Sequence, residues 1–187
     1  TVNTASKKDV VLQKHSILIE MQNPLAGGGD IRVTDDTGAI NWASKRGWYL
    51  NMGTTSRERV VTPPIIRNKR VIVTSMIPSA SPCDFGGTSW IMEFDPETGN
   101  RPSFSVFDLN NNGTFTTSDY VSVTIGGNTV NIPANGVKST EGIIKAPAII
   151  SAGSKDFKIS SGTTGNVLVV AEQGSITRPR PAWRQIQ

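Results

Sequence analysis

The chain has 187 residues, 19 Lys and Arg against 15 Asp and Glu, a formal net charge of +4, one Cys and one His. With 36% hydrophobic and 18% charged residues it can bury a core, which excludes disordered and collagen-like classes. The lone Cys83 excludes a disulfide within the chain and reads as a small buried hydrophobe, and the lone His15 excludes His-rich zinc chemistry, which needs several ligands.

In chain order, alternation and β-branched residues predict strands over residues 10–12, 16–21, 30–34, 48–52, 59–66, 70–76, 90–94, 120–125, 143–150, 157–160 and 166–172. Segments of helical composition are short and poor in Ala, Leu, Glu and Lys, so the expected class is all-β. Asp36-Thr37-Gly38, Arg67-Asn68-Lys69, Pro96-Glu97-Thr98-Gly99, Gly126-Gly127-Asn128 and Gly162-Thr163-Thr164-Gly165 supply the turn chemistry between strands. No stretch reaches the roughly 18 apolar residues of a membrane helix, so no membrane span is expected. Thr1 opens the chain without a Met, a basic n-region or an apolar h-region, as expected of a processed chain or a piece of a longer precursor.

A weak internal repeat runs through these strands. Residues 62–66, a basic turn, 71–75 and 86–94 form one unit, and 145–150, a turn, 157–160 and 162–170 form its counterpart. Pro63, Pro64 and Pro147 mark strand entries, because Pro cannot donate to a ladder. The turn Phe94-Asp95-Pro96-Glu97-Thr98-Gly99 is of the kind found between outer strands of quinoprotein-like propeller blades. The expected fold is therefore a modified β-propeller. Blades take roughly 40–50 residues, so residues 1–187 read as the C-terminal portion of a larger propeller, with an insertion at about 100–141.

The insertion holds Asp108-Leu109-Asn110-Asn111-Asn112-Gly113-Thr114-Phe115-Thr116-Thr117-Ser118-Asp119. Calcium takes six to eight oxygens, and a twelve-residue loop of the EF type offers them from positions 1, 3, 5, 7 and 12, with Gly at 6 for the sharp turn. Asp108, Asn110, Asn112, the Thr114 carbonyl and Asp119 occupy those positions, Gly113 sits at 6, and Phe115 is expected to pin the loop to the core. Two carboxylates bind Ca²⁺ weakly, which predicts a dissociation constant on the order of 10⁻⁴ to 10⁻³ M. The competing reading is an Asn-Gly hairpin turn that needs no metal.

Other patterns carry less. The tail Arg178-Pro179-Arg180-Pro181-Ala182-Trp183-Arg184 is basic, but the cations are scattered along the chain and no RNA-binding motif appears, so no nucleic-acid partner is expected. No G-x-S-x-G elbow accompanies His15. Asp35-Asp36 and Asp95 with Glu97 sit in turns, where carboxylates bond the turn backbone.

Residues 57–79, followed by Cys83, Phe85-Gly86-Gly87-Thr88-Ser89-Trp90 and Glu93-Phe94-Asp95, resemble the C-terminal domain of the PilC/PilY type IV pilus tip-associated adhesins. Gly47-Trp48-Tyr49-Leu50, the calcium-type loop, Gly142-Ile143-Ile144-Lys145-Ala146-Pro147 and Trp183-Arg184-Gln185 extend the resemblance over about residues 42–187. Residues 1–41 match poorly and read as a divergent blade or an insertion. The resemblance implies a non-enzymatic, calcium-binding module of pilus biogenesis, regulating extension against retraction and supporting adhesion, twitching motility and virulence. It implies contact with minor pilins and the pilus tip complex, a host receptor or abiotic surface as target, and a place at the bacterial cell surface, pilus tip, outer membrane or periplasm. Its calcium ligands map onto Asp108, Asn110, Asn112, Thr114 and Asp119.

Two other classes compete. A quinoprotein-type propeller oxidoreductase is opposed by the single Cys and by the contiguous metal loop. A secreted glycan-binding domain would use Trp42, Trp48, Trp90 or Trp183 as platforms, but Trp48 and Trp90 lie in alternating strands and read as core.

Overall fold

Short runs of Val, Ile and Thr broken by Gly, Asn and Pro build an all-β chain in the computed structural model, which describes residues 7–25, 29–52, 57–81 and 86–174, with backbone alone at 7 and 8. Cys83, Trp183 and the basic tail lie outside the described residues. The strands are β1 (Gln13–Gln22), β2 (Asp30–Thr34), β3 (Trp48–Asn51), β4 (Arg59–Val60), β5 (Ile65–Arg67), β6 (Arg70–Pro78) and β7 (Gly87–Phe94), followed by β8 (Tyr120–Ile125), β9 (Asn128–Pro133), β10 (Gly136–Lys138), β11 (Ala148–Ala152), β12 (Lys155–Ser161) and β13 (Val167–Gln173).

Eight of them form one curled sheet in the order β3-β1-β2-β10-β7-β6-β4, with β5 also on β6. All its pairs are antiparallel except β1 with β3. The two repeat units both fold as three-stranded antiparallel meanders, β5-β6-β7 and β11-β12-β13. The first turns at Asn68 and Lys69, with φ of 49° and 59°, the two positive values that a tight hairpin of this hand requires. Between the meanders lie the oxygen-rich loop, the β8-β9 hairpin and β10.

Three expectations change. Residues 10–12 are not a strand: α1 (Lys7–Val11) forms, because Lys45 Nζ bonds the Asp9 and Val10 carbonyls at 2.9 and 3.1 Å and Arg46 N bonds Val11 O at 2.8 Å, satisfying its C-terminal carbonyls. Residues 59–66 split into β4 and β5 around Pro63 and Pro64, and 143–150 shortens to β11 after Pro147, leaving Ile144 in an isolated bridge to Gly162. Strand β10, only three residues long, joins β2 to β7, and Gly136 permits it: a Cβ there would meet Arg32 Cβ at 3.0 Å.

Three apolar clusters hold the layers. Ile31, Val33, Phe107, Leu109, Val121 and Val123 join β2 to the loop base and the β8-β9 hairpin. Ile72, Ile91 and Ile144, with Ile149, Leu168 and Val170, join the two meanders. Trp90, Met92 and Phe94 pack the other face of β7 against Trp48 and Leu50 of β3. Trp90 is buried, while Trp42 is 61% exposed.

The β11-β12-β13 sheet buries charge beside Ile149, Leu168 and Val170 on its inner face. Its inner face carries Asp156, Lys158 and Glu172, all fully buried. Lys158 pairs with Glu93 of β7 and with Glu172, Arg70 pairs with Glu93, and Arg70 Nη2 lies 3.6 Å from Glu172. Burial pushes the Lys158 ammonium down to about 8 and lowers Arg70 as well. Burial alone would raise Asp156, but Arg67, at 2.6 and 3.0 Å, and Ser151 hold it below the usual carboxylate range. The outer face is apolar, with Ile150, Val167 and Val169 at 56, 58 and 56% exposure beside the half-buried Phe157 and Ile159. Val169→Lys is expected to lower binding of an apolar dye and to leave the melting temperature within about 2 °C, as surface changes do. A fall beyond about 5 °C, read by calorimetry, would contradict the exposure of this face.

Candidate metal centre

The loop at residues 108–119 is held by its own side-chain oxygens. Asp108 Oδ1 and Oδ2 accept from Asn112 N and Gly113 N at 3.0 and 2.7 Å. Asn110 Oδ1 also accepts from Asn112 N at 3.0 Å, and Asn112 Oδ1 accepts from Thr114 N and Oγ1 at 2.8 and 2.6 Å. Asn111 and Gly113 take φ of 56° and 77°, so Gly113 makes the sharp turn expected of position 6.

Asp119 closes the loop from within the protein. It is fully buried; its Oδ1 accepts from Leu109 N at 3.0 Å and Asn110 N at 3.3 Å, and its Oδ2 accepts from Thr116 N at 3.0 Å. Thr116 and Asp119 form a reciprocal capping box on the 3₁₀ turn Thr117–Asp119. The apolar anchor is Leu109, buried at 4% exposure in the first cluster, and not Phe115, which is half-buried. Its placement follows from alternation with Phe107, since both side chains point to the same core while Asp108 points away.

The five expected site residues therefore come together in one turn of chain. A carboxylate has about four lone-pair positions and an amide oxygen two. By that count Asp108 and Asn110 keep acceptor capacity, Asp119 keeps one position, and Asn112 Oδ1 is filled by Thr114. This donor set suits a hard cation that prefers oxygen, held weakly because only two of the donors are charged. Among the described residues no three His, Cys, Asp or Glu side chains gather as a metal site, in the loop or away from it.

The loop is flanked by two clefts. One, of about 340 Å³, is lined by Asp108, Leu109 and Asn111 together with Val137, Phe157 and Val170. The other, of about 280 Å³, lies between Gly113, Thr114 and Phe115 on one side and Ser154 and Gln173 on the other. The loop base is tied to the end of β13 by Gln173 N to Val106 O at 2.9 Å and by a bridge between Phe107 and Glu172.

The remaining candidates take structural positions. His15 is fully buried, with Nδ1 2.8 Å from Asp35 Oδ1 and Nε2 2.9 Å from Thr98 O. Asp95 Oδ1 accepts from Glu97 N and Thr98 N at 2.9 and 2.8 Å, and Asp36 Oδ1 from Gly38 N at 3.0 Å, as turn carboxylates do. Gly99 lets that turn close on Trp48: at its φ of 76°, a Cβ would stand 2.4 Å from the indole.

No protein-family model matches the chain. It is 28% identical over 194 aligned residues to the type IV pilus biogenesis factor PilY1 of Pseudomonas aeruginosa strain PAO1, an alignment covering 94% of this chain and 15% of that protein. The protein of the same name from strain UCBPP-PA14 is 30% identical over 117 residues, covering 60% of this chain and 10% of that one. The chain thus spans about 15% of the length of the first of these relatives. The crystal structure of the P. aeruginosa PilY1 C-terminal domain superposes with a TM-score of 0.62 at 21% identity, covering 85% of this chain and 31% of the solved one. The fold is accordingly all-β and propeller-like, shared with part of that domain.

Proposed function

Proceeding from a chain that resembles part of the PilY1 C-terminal domain, we propose that it is a non-enzymatic calcium-binding module of type IV pilus biogenesis. The observation that carries the metal reading is the gathering of Asp108, Asn110, Asn112 and Asp119 oxygens, with Thr114 bonded to Asn112, into one hydrogen-bonded loop whose last carboxylate is buried. Asp108, Asn110 and Asp119 would hold Ca²⁺ with the Thr114 carbonyl and solvent. Asn112 would join them on releasing Thr114. The ion would supply two positive charges against the two carboxylates and stiffen the loop.

The pilus role rests on the likeness to PilY1. In it the loop sets how the surface around β8, β9 and β13 is presented to minor pilins at the pilus tip. Calcium occupancy then biases extension against retraction and supports adhesion to a receptor or surface. The module works at the cell surface or in the envelope; no helix among the described residues is long and apolar enough to cross a membrane.

Calorimetric titration of calcium into chelator-treated protein is expected to show one site with a dissociation constant on the order of 10⁻⁴ to 10⁻³ M. Absence of heat up to several millimolar would reduce the loop to a turn stapled by its own side chains. Pilus number on cells carrying Asp108→Ala, scored with and without calcium, tests the pilus role separately.

A further inference from the structure

Beside the cleft between the loop and the β12-β13 end stands a cation that the calcium reading does not use. Lys155 opens β12, opposite Gln173 in the register, and a Cβ built at Gly113 would stand 2.9 Å from its Nζ. On the other side of Gly113, the backbone N–H is bonded to Asp108 Oδ2 at 2.7 Å. Ammonium and carboxylate therefore flank one glycine, at the loop position where the chain turns most sharply. Lys155 makes no ion pair among the described residues, and it is half-buried against the loop. Its backbone is fixed: Gly174 N bonds Ser154 O at 2.8 Å, and Lys155 lies in the β12-β13 ladder. The strand end that carries Lys155 is thus held in place beside the loop.

We infer that Lys155 is a built-in competitor for the loop's cation, lending the empty loop part of its neutralising charge and opposing entry of the divalent ion. This rests on the calcium reading of the loop. Like charges within about 10 Å repel appreciably at ordinary ionic strength. The metal therefore enters only where its concentration is high enough to displace the ammonium, and that displacement reaches the Gly153–Lys155 turn and the sheet behind it. The competing cation and the shortage of carboxylates both hold affinity down, which suits a loop that responds to calcium outside cells and not to traces.

The test compares calcium titrations of the whole chain in wild-type, Lys155→Met and Lys155→Arg forms, at about 10 mM and about 0.5 M monovalent salt. Lys155→Met is expected to bind about 3- to 10-fold tighter at low salt, Lys155→Arg to match wild type, and the gain to fall below about 2-fold at high salt as the repulsion is screened. Amide resonances of Ser154 and Lys155 are expected to move on titration in the wild-type chain and to stay nearly still in Lys155→Met. Equal affinities in wild type and Lys155→Met, with unchanged circular dichroism, overturn the inference while leaving the calcium site intact. A wild-type chain that binds no calcium overturns the calcium reading and this inference with it.

Discussion

Replacing Lys158 with Met is expected to destabilise the chain by about 3–5 kcal/mol, the usual cost of removing one partner from a buried charge cluster. Lys158 is fully buried between Glu93 of β7 and Glu172 of β13, so Met leaves two buried carboxylates with Arg70 as their remaining cation. The melting temperature should fall by about 6–20 °C for a chain of this size. The cluster spans the seam between the meanders, where Ile72 and Ile91 meet Leu168 and Val170, so the loss should appear as a cooperative shift of the whole transition. A shift of under about 3 °C would mean that the charges are solvated and the seam is held by its apolar cluster alone.

The same group sets a dependence on pH whose sign can be worked out. Its pKa is pushed down by burial, from 10.5 to about 8, so between those values the unfolded chain holds a proton that the folded chain has released. Stability linked to Lys158 therefore rises as pH climbs from 8 to 10.5, and is flat below 8, where both states are charged. In Lys158→Met this gain is missing. The stability gap between wild type and variant should thus widen with rising pH in denaturant titrations; a gap that narrows would contradict the burial of the ammonium.

The two loop carboxylates should separate metal binding from folding. Asp119→Ala removes a buried acceptor of three backbone N–H groups, those of Leu109, Asn110 and Thr116, and should cost about 2–4 kcal/mol even in chelator. Asp108→Ala removes the acceptor for Asn112 N and Gly113 N on a half-exposed stretch where water replaces it, and should cost less than about 1 kcal/mol. Both are expected to abolish the calcium titration. If Asp119→Ala melts with the wild type, the hydrogen bonds of the buried carboxylate do not hold the loop; if Asp108→Ala still binds calcium, position 1 is not a ligand.

Much of this molecule is local. The φ > 0 residues Asn68, Gly113, Gly126 and Gly127 and the alternation of β2 and β8 set turns and strands that are read directly from neighbouring residues, and both strands form with the expected bounds. The oxygen spacing of the loop is local too, since each expected ligand position is fixed by its offset from Asp108. Tertiary structure decided the rest. Strand β10 exists because Gly136 and Val137 find Arg32 and Ile31 on one side and Met92 and Ile91 on the other, partners that three residues cannot announce. Helix α1 replaces an apolar strand because Lys45 and Arg46 arrive to bond its carbonyls. Lys155 reaches Gly113 only when the loop packs on the end of β12, and Lys158 reaches Glu93 only when the second meander stacks on the first. Charge acts through space and periodicity acts along the chain, so the sequence determined the class, the turns and the donor set, while packing alone decided which charges face them.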